Sequence, residues 1–597
     1  MAILYLDGIR YKNGLIAGLR QVIANKDYLN KINVFPVPDG DTGTNMAFTL
    51  LGIQEGISKQ IHTGINEMSQ LVAESALDGA RGNSGAILAQ FFVGIADGLN
   101  DISRVTTQDF AKAAAKGKLY AYDALLQPKE GTILTTITDW VDELNRLSKR
   151  FDNFTILFQQ SLERAKISLK ETTNQLAVLK KAGVVDAGAQ GFVEMLNGIQ
   201  QYIDSGQIPE HFQVNVFSED KFTNMPEVVE EFQFCTECLI NGIEIDRVKL
   251  KEELAQLGNS LILGGTKNKI KLHIHTNSPK NVFAICERYG IISNEKADDM
   301  LKQQSDIHKD HDDIALVIDS GCDLPEEILN EYNIHMVPVR LNFGDKFYVD
   351  KVTITIDEFW NELKINPIHP TTSQPTPGDF RRQYQFLSGH YKSAISLHLP
   401  SKLSGTYQSA VSAAKGITDF PINVIEAFNG SVGMGLIAMR ISETIRKKKT
   451  IEEVLKIAKQ SILNCRVYIS LDSLEFVVRG GRLPASKKRL ADFLHLNPIL
   501  TFTENGVKAD GFTFGKQNKF KKFKKFIIKK LPKTPFRVGI AHAKAEENAR
   551  ELEKIFVEIA GRENVIFTTI SPALGAHSGP NAIAVAIQSL NDDLQNS

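Results

Sequence analysis

Asp39 and Asp41 stand two residues apart around Gly40, inside the string Pro38-Asp39-Gly40-Asp41-Thr42-Gly43-Thr44-Asn45-Met46. The glycine lets the backbone turn tightly enough for both carboxylates to converge, and converging carboxylates suit a hard cation such as Mg²⁺. Thr42, Gly43, Thr44 and Asn45 then supply hydroxyls and N-cap residue types just before the apolar run from Met46 to Leu51. A helix starting there presents backbone N–H groups to phosphate, next to the cation. A calcium loop of the EF-hand kind fails, because it needs glycine at position six and glutamate at position twelve, where Thr44 and Leu50 stand. For the string alone, an ordinary acidic turn is the plain alternative. Two further strings weigh against it. Arg81-Gly82-Asn83-Ser84-Gly85 puts glycines, a hydroxyl and a cation at the mouth of a helix, and Glu130-Gly131-Thr132-Ile133-Leu134-Thr135 repeats the glycine-then-hydroxyl start.

Phe234-Cys235-Thr236-Glu237-Cys238 and Leu272-His273-Ile274-His275 read as strands. On a strand, residues two apart share a face, so His273 points with His275 and Cys235 with Glu237, leaving Cys238 opposite. Cys235, His273 and His275 make a zinc site if the strands are neighbours. A Cys-x-x-Cys knuckle and plain structural cysteines and histidines are the competing readings.

Four polar strings follow: Thr371-Thr372-Ser373-Gln374-Pro375, Leu403-Ser404-Gly405-Thr406-Tyr407, Arg479-Gly480-Gly481-Arg482 and Gly575-Ala576-His577-Ser578-Gly579-Pro580. Each is a glycine- or proline-bearing loop offering a hydroxyl, a guanidinium or an imidazole, the groups that bind a carboxylate or phosphate. Converged, they make an anion site; singly, each is turn and cap chemistry. Between Lys516 and Leu531, Phe520, Phe523, Phe526, Ile527 and Leu531 keep helical spacing while lysines fill the other face. That stretch is either a basic helix for an anionic membrane surface or a solvated face over a core-facing stripe.

The elements that carry these groups fall into blocks. Apolar residues recur at helical spacing from residue 10 to about 203, so residues 1–205 form an all-helical domain. Residues 206–230 are polar, contain Pro209 and Pro226, and read as a linker. Residues 231–302 form a small α+β domain with a helical Val248 to Leu257 and Asn281 to Arg288, 303–313 a charged linker, and 314–597 an α/β domain. At 597 residues, several domains are expected. The net charge of −1 supplies no global field for nucleic acid. The most apolar stretch, Ala86 to Ala96, is too short to span a bilayer, and five scattered cysteines do not make a disulfide framework, so a cytoplasmic protein is expected.

The strings NVFPVPDGDTGTNM at 33–46, ARGNSGAILAQ at 80–90, EGTILT at 130–135 and VVDAGAQGF at 184–192 resemble the nucleotide-binding subunit of dihydroxyacetone kinases and, more closely, the kinase component of bacterial fatty acid kinase. The resemblance implies an eight-helix barrel holding ATP and Mg²⁺ at one end. Asp39 and Asp41 carry over as metal ligands, and Thr44, Asn45, Gly82, Asn83, Ser84, Thr132, Asp186 and Gly188 as nucleotide contacts. Ala189 departs from the family's Asp-Ala-Gly-Gly-x-Gly string. The middle block is similar to that component's middle domain, which implies the Cys235, His273, His275 metal site, with Zn²⁺. VIDSGCDLP at 317–325, TSQPTPGDF at 372–380, LSGTYQSA at 403–410 and LDSLEFVVRGGRL at 471–483 resemble the DegV family, which implies a two-lobed α/β protein enclosing one long-chain fatty acid. Its carboxylate-contacting pattern falls on Thr372, Ser404, Arg482 and His577, with Ser373 and Gly405 beside them as further substrate-binding candidates, while the string at 427–433 departs from the family's. Together these imply an ATP-dependent kinase that phosphorylates a bound fatty acid to an acyl phosphate, with Arg482 and His577 orienting the acceptor. A homodimer through the kinase half, peripheral contact with anionic membrane and hand-over to a membrane acyltransferase are the implied partners. A lipid sensor with a regulatory nucleotide domain and a soluble hydroxyketone kinase are the alternatives.

Overall fold

The computed structural model describes residues 2–36, 40–58, 64–100, 102, 104–209, 231–300, 312–344, 346–417, 420–486, 489, 496–514 and 518–590. Asp39, most of both linkers, Lys516 and Gln517 lie outside the described residues. The chain forms two compact units, Met1–Lys309 and Asp310–Ser597.

The first unit opens with helices α1 (Gly8–Ala24), α2 (Lys26–Lys31), α3 (Thr42–Ser58), α4 (Ile65–Gly79), α5 (Gly82–Gly98), α6 (Thr107–Asp123), α7 (Ile133–Ser148), α8 (Phe154–Gln175), α9 (Ala177–Ala182) and α10 (Ala187–Ser205). Side-chain oxygens close several of their N-termini: Asp7, Thr106, Thr132, Asn153 and Asp186 each accept a backbone N–H of the first turn. The long helices close a ring, each packed on the next in the order α1, α3, α4, α5, α6, α7, α8, α10 and back to α1. Small residues permit a close crossing of α5 and α6, where a Cβ on Gly94 would sit 2.6 Å from Gly117 Cα. Inside the ring, Phe91, Trp140 and Phe192 meet edge to face, a geometry that adds to their burial.

Against this ring packs an antiparallel sheet in the order β2-β3-β1-β4, with β1 Phe234–Asn241, β2 Gly258–Gly265, β3 Lys269–Thr276 and β4 Ile291–Asp299. Helices Arg247–Leu254 and Pro279–Glu287 lie near the expected positions. Strands β2 and β4 were not expected, and both are edges: β2 is glycine-rich and β4 largely charged, which hides a strand from an apolar pattern. The period of two divides the sheet. Cys238, Ile240, Leu272 and Ile274 join an apolar core, whereas Cys235, Glu237, His273 and His275 share the other face.

The second unit holds a parallel sheet, β11-β10-β5-β6, from β5 (Ile314–Asp319), β6 (Ile334–Val337), β10 (Ser393–His398) and β11 (Ile422–Glu426). A small antiparallel sheet joins β7 (Arg340–Phe343), β8 (Lys346–Val349) and β9 (Thr371–Ser373). A six-stranded sheet, β14-β13-β12-β17-β15-β16, uses β12 (Cys465–Ser470), β13 (Leu496–Thr503), β14 (Gly506–Phe514), β15 (Phe536–His542), β16 (Val565–Thr569) and β17 (Ile583–Ser589). Helices cover these sheets, as the α/β reading expects. The basic stretch is the helix Lys519–Lys529, whose Phe523 and Ile527 are buried in a core with Ile540 and Val585. Its apolar stripe is thus occupied by the unit itself and is not available to enter a bilayer. No helix among the described residues is long and apolar enough to cross a membrane.

Candidate functional site

Four helix N-termini gather at one end of the helical ring. Asp41 flanks α3, its carbonyl accepting the Asn45 N–H at 2.8 Å. A Cβ on Gly82 would lie 2.4 Å from Asn45 Nδ2, which brings the start of α5 against α3. A Cβ on Gly188 would lie 2.7 Å from Ser84 Oγ and 3.3 Å from Ile133 Cβ, so α5, α7 and α10 begin side by side. Asp186 caps α10 through the Ala189 N–H at 2.8 Å. Ala189 therefore still supplies the backbone donor of that cap. Burial pushes the Asp186 carboxyl up to about 6 although backbone N–H groups of Ala189, Ile133 and Gly188 oppose the shift. Thr132 spends its hydroxyl on capping α7 and on the Lys129 carbonyl. Asn30, which no motif singled out, receives the Thr44 N–H at 3.0 Å and donates to Thr44 Oγ1 at 2.9 Å, fixing the first turn of α3. Gathered N-termini fit a nucleotide phosphate, and the buried Asn83 Oδ1 has no partner among the described residues. Of the two aspartates expected to hold Mg²⁺, Asp41 alone is described, so the fit of that pair rests on Asp41.

Next to this end sits the second cluster. One potential ligand atom from each of Cys235, His273 and His275 lies within 4.8 Å of the others. In a tetrahedral zinc site such atoms are roughly 3.5 Å apart, so a cation needs to draw them only about an ångström closer. The continuous strand from Cys235 to Cys238 leaves no turn for a Cys-x-x-Cys knuckle, and Cys238 is buried in the core on the far face. His273 Nδ1 lies 3.1 Å from Glu237 Oε1, and its buried Nε2 has no partner among the described residues. Burial, then His273 and Lys296, push His275 down to about 3, so it is a neutral imidazole able to ligate. The donor set fits zinc. Burial raises the carboxyl pKa of Glu237, but Lys271 and Lys296, then His273, outweigh it and hold the group well below its ordinary value.

The third site is a cavity in the second unit. Its volume, taken as room for the centre of a water-sized sphere, is about 120 Å³, against the roughly 10–15 Å³ that one water needs on that measure. It is therefore a ligand space and not a packing defect. Most of its wall is apolar, as at Leu399, Ile469, Leu500, Phe502, Val507 and Leu574. The polar lining residues are held in place by hydrogen bonds: Thr372 Oγ1 is 2.8 Å from His577 Nε2, Arg482 Nε donates to the Leu403 carbonyl at 3.2 Å, and Ser404 Oγ is 2.7 Å from Thr406 Oγ1. Arg482 also donates to the Gly480 carbonyl and pairs with no carboxylate among the described residues. Burial lowers its pKa and, with Arg482 and His369 adding positive charge, pushes His577 down to about 3, leaving that imidazole neutral with its Nδ1 unpartnered among the described residues. A guanidinium with no carboxylate partner among the described residues, beside a neutral imidazole and hydroxyls, suits one anionic head.

Thr372, Ser373, Ser404, Arg482 and His577 all line the cavity. Gly405 does not: it lies behind Gln374, whose side chain would be 2.9 Å from a Cβ there, so its part is to let Gln374 pack into the wall. Gly480 makes room in the same way, since a Cβ would meet His577 Nδ1 at 2.0 Å. Ser431, in the string that departs from the family, does line the cavity, but its hydroxyl donates to Asp323 at 2.6 Å. Asp323 and Asp350 were not anticipated. They accept the N–H groups of Ser571 and Ala573 and so hold the start of the helix Pro572–Ser578 that carries His577. Asp323 falls in the string at 317–325, but nothing local marks the bracing role of either aspartate, because the amides they accept are more than 200 residues away.

Gathered helix N-termini, a Cys/His cluster and an apolar cavity with one polar end are the features of a kinase-type chain joined to a small-molecule carrier. Residues 36–201 match the DAK2 domain, residues 231–307 the FakA-like middle domain of fatty acid kinase and residues 313–590 the DegV family. The chain thus joins a kinase-type DAK2 domain, a FakA-like middle domain and a DegV-family domain in one polypeptide. It is 32% identical over 320 residues to the uncharacterized protein SSP1546 of Staphylococcus saprophyticus, covering 51% of this chain and 58% of that protein. It is 31% identical over 319 residues to protein YloV of Bacillus subtilis, again 51% and 58%. The chain spans 58% of the length of these curated relatives. The solved structure titled "Fatty Acid Binding of a DegV family Protein from Thermus thermophilus" aligns with 28% identity and a TM-score of 0.44, over 46% of this chain and 99% of that one.

Proposed function

We propose that this chain phosphorylates, at the expense of ATP, a long-chain fatty acid held by its own C-terminal unit, forming an acyl phosphate. The observation that supports this reading best is the cavity, apolar except for a cluster centred on Arg482 and His577. A wall of that kind holds an alkyl chain at about 0.8 kcal/mol per methylene, and a guanidinium with no carboxylate partner among the described residues suits a carboxylate. Such a carboxylate is already ionised near neutral pH, so transfer needs no strong base. Arg482 would bind the head, and neutral His577, fixed by Thr372, would orient the acceptor oxygen. Asp41 would hold Mg²⁺ together with Asp39. When bound, that ion neutralises the charge of the phosphoryl group. Asn45, Asn83, Ser84 and the backbone at the starts of α5, α7 and α10 would seat the phosphates. Cys235, His273 and His275 would hold Zn²⁺. The lysine face of the helix Lys519–Lys529 remains as a contact for anionic lipid through charge alone.

The test is trapping of acyl phosphate by hydroxylamine after incubation with ATP, Mg²⁺ and oleate. Oleate should give hydroxamate, and ATP turnover should respond to oleate but not to dihydroxyacetone. Asp41→Ala should lose the product while still retaining lipid. A hydroxyketone-dependent turnover, or normal product from Asp41→Ala, would remove the reading.

A further inference from the structure

Glu237 of β1, only 1% exposed, touches two sites with one carboxylate. Its Oε1 accepts the N–H of Gly82, the first residue of α5, at 3.3 Å, and the same oxygen lies 3.1 Å from His273 Nδ1. Its Oε2 lies 3.1 Å from Lys271 Nζ and 3.9 Å from Arg81 Nη1, and Lys296 Nζ is 3.8 Å from Oε1. One carboxylate thus ties down three cations, a helix start and an imidazole, all next to the gathered N-termini. A carboxylate repels phosphate, so Glu237 is not itself a phosphate ligand. It is a positioning residue: whatever fixes its rotamer fixes Arg81 and Gly82 at the mouth of α5.

We propose that metal binding at Cys235, His273 and His275 and nucleotide binding at the starts of α3, α5, α7 and α10 are positively coupled through Glu237. The proposal rests on the nucleotide reading of those helix ends given above. A cation held by His273 fixes that ring, and with it the oxygen of Glu237 that holds Gly82. It also adds positive charge beside the place where phosphates would lie. Each ligand then arrives at a site the other has already ordered, and by linkage the two effects are equal. Couplings of this kind run from roughly five- to 150-fold, and tenfold is expected here.

The experiment titrates the full chain with a non-hydrolysable ATP analogue in Mg²⁺, by calorimetry, with the protein zinc-loaded or stripped by a chelator, and the reverse titration of zinc with and without the analogue. Wild type should bind each ligand about tenfold more tightly in the presence of the other. Glu237→Gln should bind both, with the mutual factor reduced to near one. His275→Ala, which removes a metal ligand without touching Glu237, should bind the analogue as weakly as the stripped wild type, and so decides the matter even if Glu237→Gln fails to fold. Independent binding of the two ligands to wild type overturns the coupling, as does a full coupling in a folded Glu237→Gln or a failure to bind zinc. Acyl phosphate formation that persists alongside independent binding leaves the kinase reading standing, whereas absence of analogue binding removes both.

Discussion

Replacing Arg482 by glutamine separates ligand holding from folding, because this guanidinium has no carboxylate partner among the described residues. In the lipid-free protein it donates to the carbonyls of Leu403 and Gly480, and burial already disfavours its charge. Its loss should therefore leave the thermal midpoint of the apo protein almost unchanged. With a fatty acid bound, the same side chain becomes the partner of the carboxylate. A fully buried charge pair broken on one side costs roughly 3–5 kcal/mol, but Arg482 is only half-buried, so the value for a charge-assisted hydrogen bond, about 2 kcal/mol, applies. That is about a 30-fold loss of affinity. At about 0.8 kcal/mol per methylene it equals two to three carbons of chain. The variant should thus hold an eighteen-carbon acid about as wild type holds one of fifteen or sixteen. Displacement of a fluorescent fatty acid measures both proteins over a chain-length series, and nucleotide titration serves as the control. Binding within threefold of wild type at every length would refute the placement of the head group at Arg482. A thermal midpoint that falls in parallel with affinity would show instead that Arg482 is needed for the fold.

Gly480→Ala should do more harm to lipid binding than Thr372→Ala, since its methyl would stand 2.0 Å from His577 Nδ1 and must displace the ring, while the threonine change removes one hydrogen bond; displacement titrations with the reverse order would contradict the packing. The pH dependence of His577 follows from its burial, which depresses the native pKa to about 3 against an ordinary 6.5. Between those values the unfolded chain binds a proton that the native chain does not, so this group's share of stability is complete above pH 6.5 and is lost as pH falls toward 3. In lipid-free protein the ring's NMR signals should stay those of neutral imidazole at pH 5, and a midpoint near 6.5 would disprove the enclosure. Ser404→Ala should cost the affinity for a fatty acid about fivefold, about 1 kcal/mol, with the Thr406 amide as the group left short of an acceptor. An unchanged affinity in the same displacement assay would take Ser404 out of the head-group cluster.

Much of the fold was legible in the residues themselves. Helical spacing over the first two hundred residues foretold a helical unit, and the period of two on β1 and β3 put Cys235 with Glu237 and His273 with His275 before any register was known. Strand β4 stayed hidden because an edge strand need bury little, so charge replaces the alternating pattern, whereas β2 is largely buried and stayed hidden because its short apolar run Leu261–Leu263 is continuous between glycines and does not alternate. The basic helix was ambiguous for a related reason. A stripe of Phe523 and Ile527 reads the same whether it faces lipid or a core, and only packing against Ile540 and Val585 decides between them. Local chemistry, in loops such as Arg81 to Gly85 and Arg479 to Arg482, is written in neighbouring residues, because turn geometry and capping act over a few positions. What lies far apart in the chain was decided by the tertiary structure alone. Glu237 reaches Gly82 across 155 positions, and Thr372 meets His577 across 205. Asp323 and Asp350 brace the helix of His577 from a similar remove. A buried carboxylate takes its meaning from the donors that folding brings to it, and those donors are set by how the sheets and helices pack.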